Sequence, residues 1–386
     1  MSLEKLKASI RRRRIQFKII CALLLLCVIL NILAWQSTSF SDWYVQKVFP
    51  VISVPFAFLT EKLPFSLGEI LILIALIGVP LSIIAFIVLM IVKRKSKDAK
   101  RTIRHAYGYT YAWIIVYIVL TETLNCFILY HTSYFAEMYD YPQEQYTASQ
   151  LEQLAWFLID ETNAFSEQVE RNDEGQFVLT ADLDETAKAA MLNLANDYPQ
   201  LSGYYTTPKS IINSFFMSQQ YLMGIYFPFT MEANYNDQMY ELNMPDTVCH
   251  ELAHTKGFIR EDEANFIGFL ACYESDNIEY NYSGSLRALK YVLGKCEDYC
   301  SDETVSELYT ALSDGVRTDW NSNVSYWQEV QESDEGLIDS QTVAKASDKA
   351  METSLKLNGV EDGKNSYGRM VDLLLDWYYM NLEDSE

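Results

Sequence analysis

Long apolar runs dominate the first third of the chain and are absent from the rest. Residues 19–35 are just long enough to cross a bilayer as a helix, and residues 69–92 and 106–130 are longer. The third run is bordered by tyrosines and Trp113, side chains that settle at membrane interfaces. Between the first two runs, residues 36–68 are apolar but interrupted by Pro50, Pro55 and Pro64, which suggests an interfacial or re-entrant stretch.

From about Tyr141 the spacing changes to that of amphipathic helices. Leu151, Leu154, Leu158, Phe165 and Val169 fall near one face of a helix that starts at Thr147 and breaks over residues 171–175. A second helix is expected over residues 183–197, and Pro208 should open a third carrying Phe215 and Phe216. Further helices are expected over residues 285–299, 302–316, 340–357 and 366–380, with loops at 333–336 and 358–365. The best strand is residues 224–230, with Ile225, Tyr226, Phe227 and Phe229. The fold class that follows is mainly α: three N-terminal transmembrane helices, then an α-rich domain with at most a small sheet.

Charge divides the chain at the same place. The net charge is −22, from 30 Lys and Arg against 52 Asp and Glu. Residues 1–130 hold 16 basic and 6 acidic side chains, a net of +10, which leaves −32 for the remainder. The basic residues lie before the first run (Arg11, Arg12, Arg13, Arg14, Lys18) and between the second and third (Lys93 to Arg104), so those segments should be cytoplasmic. Three spans then put everything after His131 outside the cytoplasm. No small-x-small cleavage site follows Ala34, so the first span reads as an uncleaved anchor rather than a signal peptide. The expected division is a cytoplasmic N-terminus (1–18), a membrane domain (19–130) and an extracytoplasmic domain (131–386). The protein would be a multi-pass protein of the cell membrane. The acidic half argues against nucleic acid or an anionic membrane surface as partner, since either would need a basic patch. The 7 cysteines are too few and scattered for a disulfide scaffold; Cys249, and Cys296 with Cys300, read as packed or free thiols.

The chemistry concentrates in His250-Glu251-Leu252-Ala253-His254, an HExxH frame that uses two of only 4 histidines. Residues four apart stack on one helical face, so His250 and His254 can offer two imidazole nitrogens to one zinc ion. Glu251 lies about 100° round the helix, where it can reach a metal-bound water as general base. Pro245 and Asp246 suit the first turn of that helix, and Gly257 suits its C-terminal cap.

A catalytic zinc needs a third protein ligand. Arg260 stands where an HExxHxxGxxH pattern would carry its third histidine, which excludes that type of site. Glu261, Asp262 and Glu263 remain. Glu261 is preferred because Asn265, four residues on, shares its face and could orient a ligand histidine. Glu263 stays a rival, since a short turn after Gly257 leaves the helix phase open.

The segment Glu261-Asp262-Glu263-Ala264-Asn265 after HExxH resembles the ExxA(D/N) element of the glutamate-type zincins, the gluzincin metallopeptidases, in which the first glutamate is the ligand. More of the chain resembles an uncharacterised family of bacterial membrane proteins with a few N-terminal spans and an HExxH ectodomain. The matching pieces are Tyr226-Phe227-Pro228-Phe229-Thr230, residues 250–266, Tyr282-Ser283-Gly284 and Ser366-Tyr367-Gly368-Arg369. That resemblance implies a zinc metallopeptidase and names no substrate. Zincins resemble one another in placing an edge strand beside the HExxH helix; residues 224–230 are either that substrate rail or an apolar core segment. Pro228 limits which edge the strand could offer, having no N–H. Tyr282 could donate to the oxyanion formed during attack.

The expected activity is therefore zinc-dependent hydrolysis of an extracytoplasmic peptide or protein by a chain anchored in the lipid bilayer. Charges around the motif, from Asp246 to Asp262, argue against an intramembrane protease with its site inside the hydrocarbon. Two competitors stay open: a zinc-binding sensor or scaffold that cuts nothing, and a zinc amidase acting on a cell-envelope substrate.

Overall fold

The computed structural model describes residues 3–358 and 369–383. The basic head continues into the first apolar run as one helix, α1 (Leu3–Gln36), because nothing between Arg14 and Ile19 interrupts the backbone. Ser37 stops it and caps α2 (Thr38–Lys47), its side chain accepting from the Phe40 N–H. The proline-broken stretch then forms α3 (Phe49–Thr60), which keeps Pro55 inside it. Next come α4 (Leu67–Val92) and α5 (Lys97–Glu122), the latter continuing through a π-helical turn at Thr123–Phe127 and a 3-10 turn at Leu129–His131. Three helical stretches, Ile10–Gln36, Leu67–Val92 and Lys97–His131, are long and apolar enough to cross a membrane.

The remaining helices are α6 (Phe135–Met138), α7 (Ala148–Ser166), α8 (Leu183–Leu194), α9 (Ser214–Gln219), α10 (Met244–His254), α11 (Glu261–Tyr273), α12 (Ile278–Tyr299), α13 (Asp302–Ala311), α14 (Asp314–Glu332), α15 (Ser340–Leu357) and α16 (Arg369–Glu383). One three-stranded sheet accompanies them among the described residues: β1 (Lys209–Ser210), β2 (Gly224–Phe227) and β3 (Glu232–Tyr235), in the order β1-β3-β2. The fold is mainly α with a small sheet. Two compact units divide it. The first comprises Met1–Phe49, Leu67–Thr132 and Pro228–Thr230; the second comprises Pro50–Ser66, Ser133–Phe227 and Met231–Glu386. This departs from a linear division at residue 131, since the α3 segment groups with the later helices.

In the second unit, local chemistry sets most helix ends. Thr147 caps α7 in a reciprocal pair with Gln150, and Leu151, Leu154, Leu158 and Ile159 are buried along one stripe. Asn277 caps α12 seven residues earlier than the 285 start expected, so Tyr282 lies inside a helix and faces the core. The helix expected over 302–316 breaks after Ala311, because Ser313 caps α14, whose polar sequence concealed it. The helix at 340–357 is α15. Residues 359–368, including the loop to 365 and Ser366 to Gly368, lie outside the described residues.

The helix expected from Pro208 is instead a strand. Lys209 and Ser210 pair in parallel with Asn234 and Tyr235, and Phe215 and Phe216 fall in the short α9. The buried Lys209 ammonium pairs with Glu232 of β3 at 2.8 Å, which commits this segment to the sheet. β2 runs antiparallel to β3 and forms the sheet edge. The core proper joins α7, α8, α10, α11, α12 and α16, where Val248, Leu252, Ala264, Phe266, Ile267, Phe269 and Leu289 are fully buried. Each such large side chain contributes about 1.5–3 kcal/mol. This core fixes the two helices that carry the HExxH frame and the acidic segment.

Candidate metal centre

Pro245 sits in the first turn of α10 and the helix ends at His254, so the HExxH frame fills its last turns. Gly257 adopts φ of +94°, a conformation that a side chain would strain, and turns the chain back. Arg260 then starts α11 from extended backbone, placing Glu261 at the first helical position, where the helix dipole favours an anion.

The turn brings Glu261 over the two histidines. Glu261 Oε2 lies 3.3 Å from His250 Nε2, and its Oε1 lies 3.9 Å from His254 Nε2. The imidazole rings are 4.6 Å apart at 84°, so their nitrogens converge rather than stack. One ligand atom from each of the three residues falls within 4.8 Å of the others. Zinc held at about 2.0–2.1 Å in a tetrahedron separates its ligands by about 3.4 Å. Two histidines and a carboxylate are a donor set that zinc takes, and from a spread of up to 4.8 Å they would have to draw together to hold it. His254 Nδ1 lies 2.7 Å from the Phe258 carbonyl, which holds the proton on that nitrogen and leaves Nε2 as the donor.

Glu251 is buried beside the ligands, with Oε1 4.0 Å from His250 Nε2. Its Oε2 has no hydrogen-bond partner among the described residues. The edge strand backs it: a Cβ on Gly224 of β2 would stand 2.3 Å from Glu251 Oε1, so only glycine lets strand and carboxylate share this space.

The electrostatics follow from burial and these neighbours. Burial pushes the Glu251 carboxyl up to about 8, opposed by His250 and reinforced by Glu261. Burial, together with the charge of His250, pushes His254 down to about 4. Burial works against charging His250 too, yet the Glu261 carboxylate, with Glu251 and Asp246, raises it above the ordinary histidine range. Burial alone would raise Glu261, but His250, His254 and Arg287 hold it below the ordinary carboxylate range. The cluster thus biases His250 and Glu261 towards their charged forms and His254 towards its neutral one.

The other candidates lie elsewhere. Glu263 turns into the body of the second unit, accepting from the Phe135 N–H at 2.8 Å and pairing with Arg260 at 3.1 Å. Arg260 itself is buried over the Tyr134 ring. Asn265 is buried on α11, but its Nδ2 has no partner among the described residues, and His254 is oriented by Phe258 instead. Tyr282 corrects its expected role as oxyanion donor: its hydroxyl donates to Asp319 at 2.6 Å and its ring packs on Phe177. Inside α12 it points into the core, because the helix starts earlier than its sequence indicated. Cys249 is buried with its thiol against that of Cys272, and neither these two nor Cys296 and Cys300 form a disulfide.

Sequence reasoning missed Gly224 and Arg287. Arg287 of α12 lies 3.7 Å from Asp246 Oδ2, one turn before His250, and 3.8 Å from the Met223 sulfur that precedes Gly224. Both residues reach the site only through tertiary packing, so no local pattern marks them.

No curated protein and no solved structure matches the chain. A family model described as "Protein of unknown function (DUF3810)" matches residues 44–375, and with most of its length covered, the chain belongs to that family.

Proposed function

We propose that this chain is a membrane-anchored zinc metallopeptidase of the glutamate-zincin type, with His250, His254 and Glu261 as ligands and Glu251 as general base. The observation that carries the reading is the convergence of three ligand atoms within 4.8 Å, with a buried, partly unsatisfied carboxylate beside them. Zinc bound there would polarise a carbonyl and bring its water towards neutral ionisation.

The residues divide the work. His250 and His254 present Nε2, and Phe258 holds the second ring in the required tautomer. Glu251 takes the proton of the attacking water on its carboxylate and later returns it to the leaving amine. Its buried position favours holding that proton, which suits a group that must carry one between two steps. β2, an edge strand against α10, offers an extended peptide a partner for main-chain hydrogen bonds.

A zinc-stabilised sensor or scaffold needs no base and would fill the fourth coordination position with another ligand. The unpartnered Oε2 of Glu251 favours hydrolysis over that reading. An envelope amidase would use the same groups, and substrate alone separates it from a peptidase. The test is cleavage of a peptide library by the purified full chain. Glu251→Gln should keep the zinc and lose cleavage by about 10²-fold or more, the scale of general acid–base catalysis. Cleavage that survives the change would overturn the assignment of the base. Wild-type protein that carries zinc yet cuts no peptide would favour the sensor.

A further inference from the structure

The short helix α3 is turned inside out. Its small and polar residues Ser53, Ala57 and Thr60 are buried on one face, while Val51, Phe56, Phe58 and Leu59 are 72 %, 41 %, 50 % and 64 % exposed. A helix on the surface of a water-soluble body does the reverse. Four large apolar side chains on a helix of twelve residues call for an apolar cover.

The path of the chain identifies that cover. α1 ends at Gln36 and α4 begins at Leu67, and both are long and apolar enough to cross a membrane. Only residues 61–66 connect α3 to α4, and six residues span at most about 20 Å. Covalent reach therefore keeps the end of α3 within about 20 Å of the start of α4, a helix long and apolar enough to cross a membrane. Lys62, exposed at that end, sets its ammonium 4.1 Å from the Phe58 ring centre, the cation-beside-aromatic pairing that suits a headgroup layer.

The same end is fastened to the sheet. The buried Lys209 of β1 donates to the Thr60 carbonyl at 2.6 Å and the Phe65 carbonyl at 3.1 Å while pairing with Glu232 of β3. Glu61 accepts from the Tyr204 hydroxyl and, at 2.9 Å, from the Thr207 hydroxyl. We propose that α3 is an interfacial helix whose Val51, Phe56, Phe58 and Leu59 lie among the headgroups and upper acyl chains of a phospholipid bilayer, holding the sheet beside the metal centre at that surface. The inference stands whether or not the centre is hydrolytic. If it is, polypeptide presented close to the membrane is what lies within reach.

The test uses the full chain in phospholipid vesicles, with Leu59→Trp read as a difference from the wild-type protein and its 7 native tryptophans. Phe58→Trp reads the same face with a smaller change of shape, should the first variant fold poorly. Val324→Trp, on the exposed face of α14, is the control. The expected result is strong loss of the added emission with phosphatidylcholine brominated near the top of its acyl chains, and little loss with aqueous acrylamide. The control should respond the opposite way. Emission at position 59 or 58 that acrylamide quenches and the brominated lipid does not would overturn the proposal. Protection from both would also overturn it, pointing to a protein cover such as a second copy.

Discussion

Two buried carboxylate clusters lie in the second unit, and they differ in how completely they satisfy themselves. Asp319 is fully buried and accepts four hydrogen bonds: from the Phe177 N–H at 2.8 Å, Tyr240 at 2.7 Å, Tyr282 at 2.6 Å and Arg171 at 2.9 Å. A buried charge with every lone pair engaged holds elements together. The cluster around His250 is also built on buried carboxylates, but it stays incomplete. Glu251 Oε2, Asp246 Oδ1 and Asn265 Nδ2 are buried without partners among the described residues. The satisfied cluster serves the fold, and the orphaned atoms beside the converging His250, His254 and Glu261 are what the proposed metal site rests on.

That contrast can be broken most severely at Asp319. Asp319→Ala strands Arg171 and two tyrosines and should cost about 3–5 kcal/mol, seen as a large fall in the midpoint of thermal unfolding. The folded fraction should keep its zinc; a fall below about 1 kcal/mol would dissolve the distinction. Gly224→Ala acts on the other cluster. Its new Cβ overlaps Glu251, so cleavage should drop about tenfold or more with zinc content unchanged, and unimpaired cleavage would show that Glu251 works from another position.

Tyr282→Phe asks which cluster owns the hydroxyl. It removes one hydrogen bond to a buried carboxylate and should cost about 1.5–3 kcal/mol without slowing hydrolysis. A hundredfold loss of rate with little change in stability would restore Tyr282 as an oxyanion donor.

Lys290 supplies the smallest test, because both Asp319 and Asp246 act on it. Burial, with Arg287 adding and the two aspartates opposing, pushes its ammonium down to about 7. Its ordinary value is 10.5, so between the two the unfolded chain binds more protons than the folded one. Stability should therefore rise with pH above about 7, and Lys290→Met should flatten that rise between about pH 7 and 9. An unchanged slope would show that Lys290 keeps its proton.

Much of this was legible in the sequence, and the limits have physical causes. Apolar length gave the three long helices, and the spacing of His250, Glu251 and His254 gave the two imidazoles and the carboxylate beside them. Helix phase could not choose between Glu261 and Glu263. The choice depends on the Gly257 turn, and on Arg260 and the Phe135 N–H engaging Glu263. β1 and β3 were hidden because they are short, and because Lys209 and Glu232 are charged residues whose burial depends on partners distant in sequence. Tyr282 was misjudged because Asn277 starts α12 early and turns the side chain towards Asp319, a residue distant in sequence.

The most direct test of the metal centre is the zinc content of the purified full chain, wild type and His254→Ala, by elemental mass spectrometry. The full chain is needed, since a fragment beginning at residue 131 would lose the Thr60 and Phe65 carbonyls that Lys209 binds. About one zinc per wild-type chain, and a folded His254→Ala that loses it, is the expected result. Folded wild-type protein that stays empty after incubation with zinc would contradict the account.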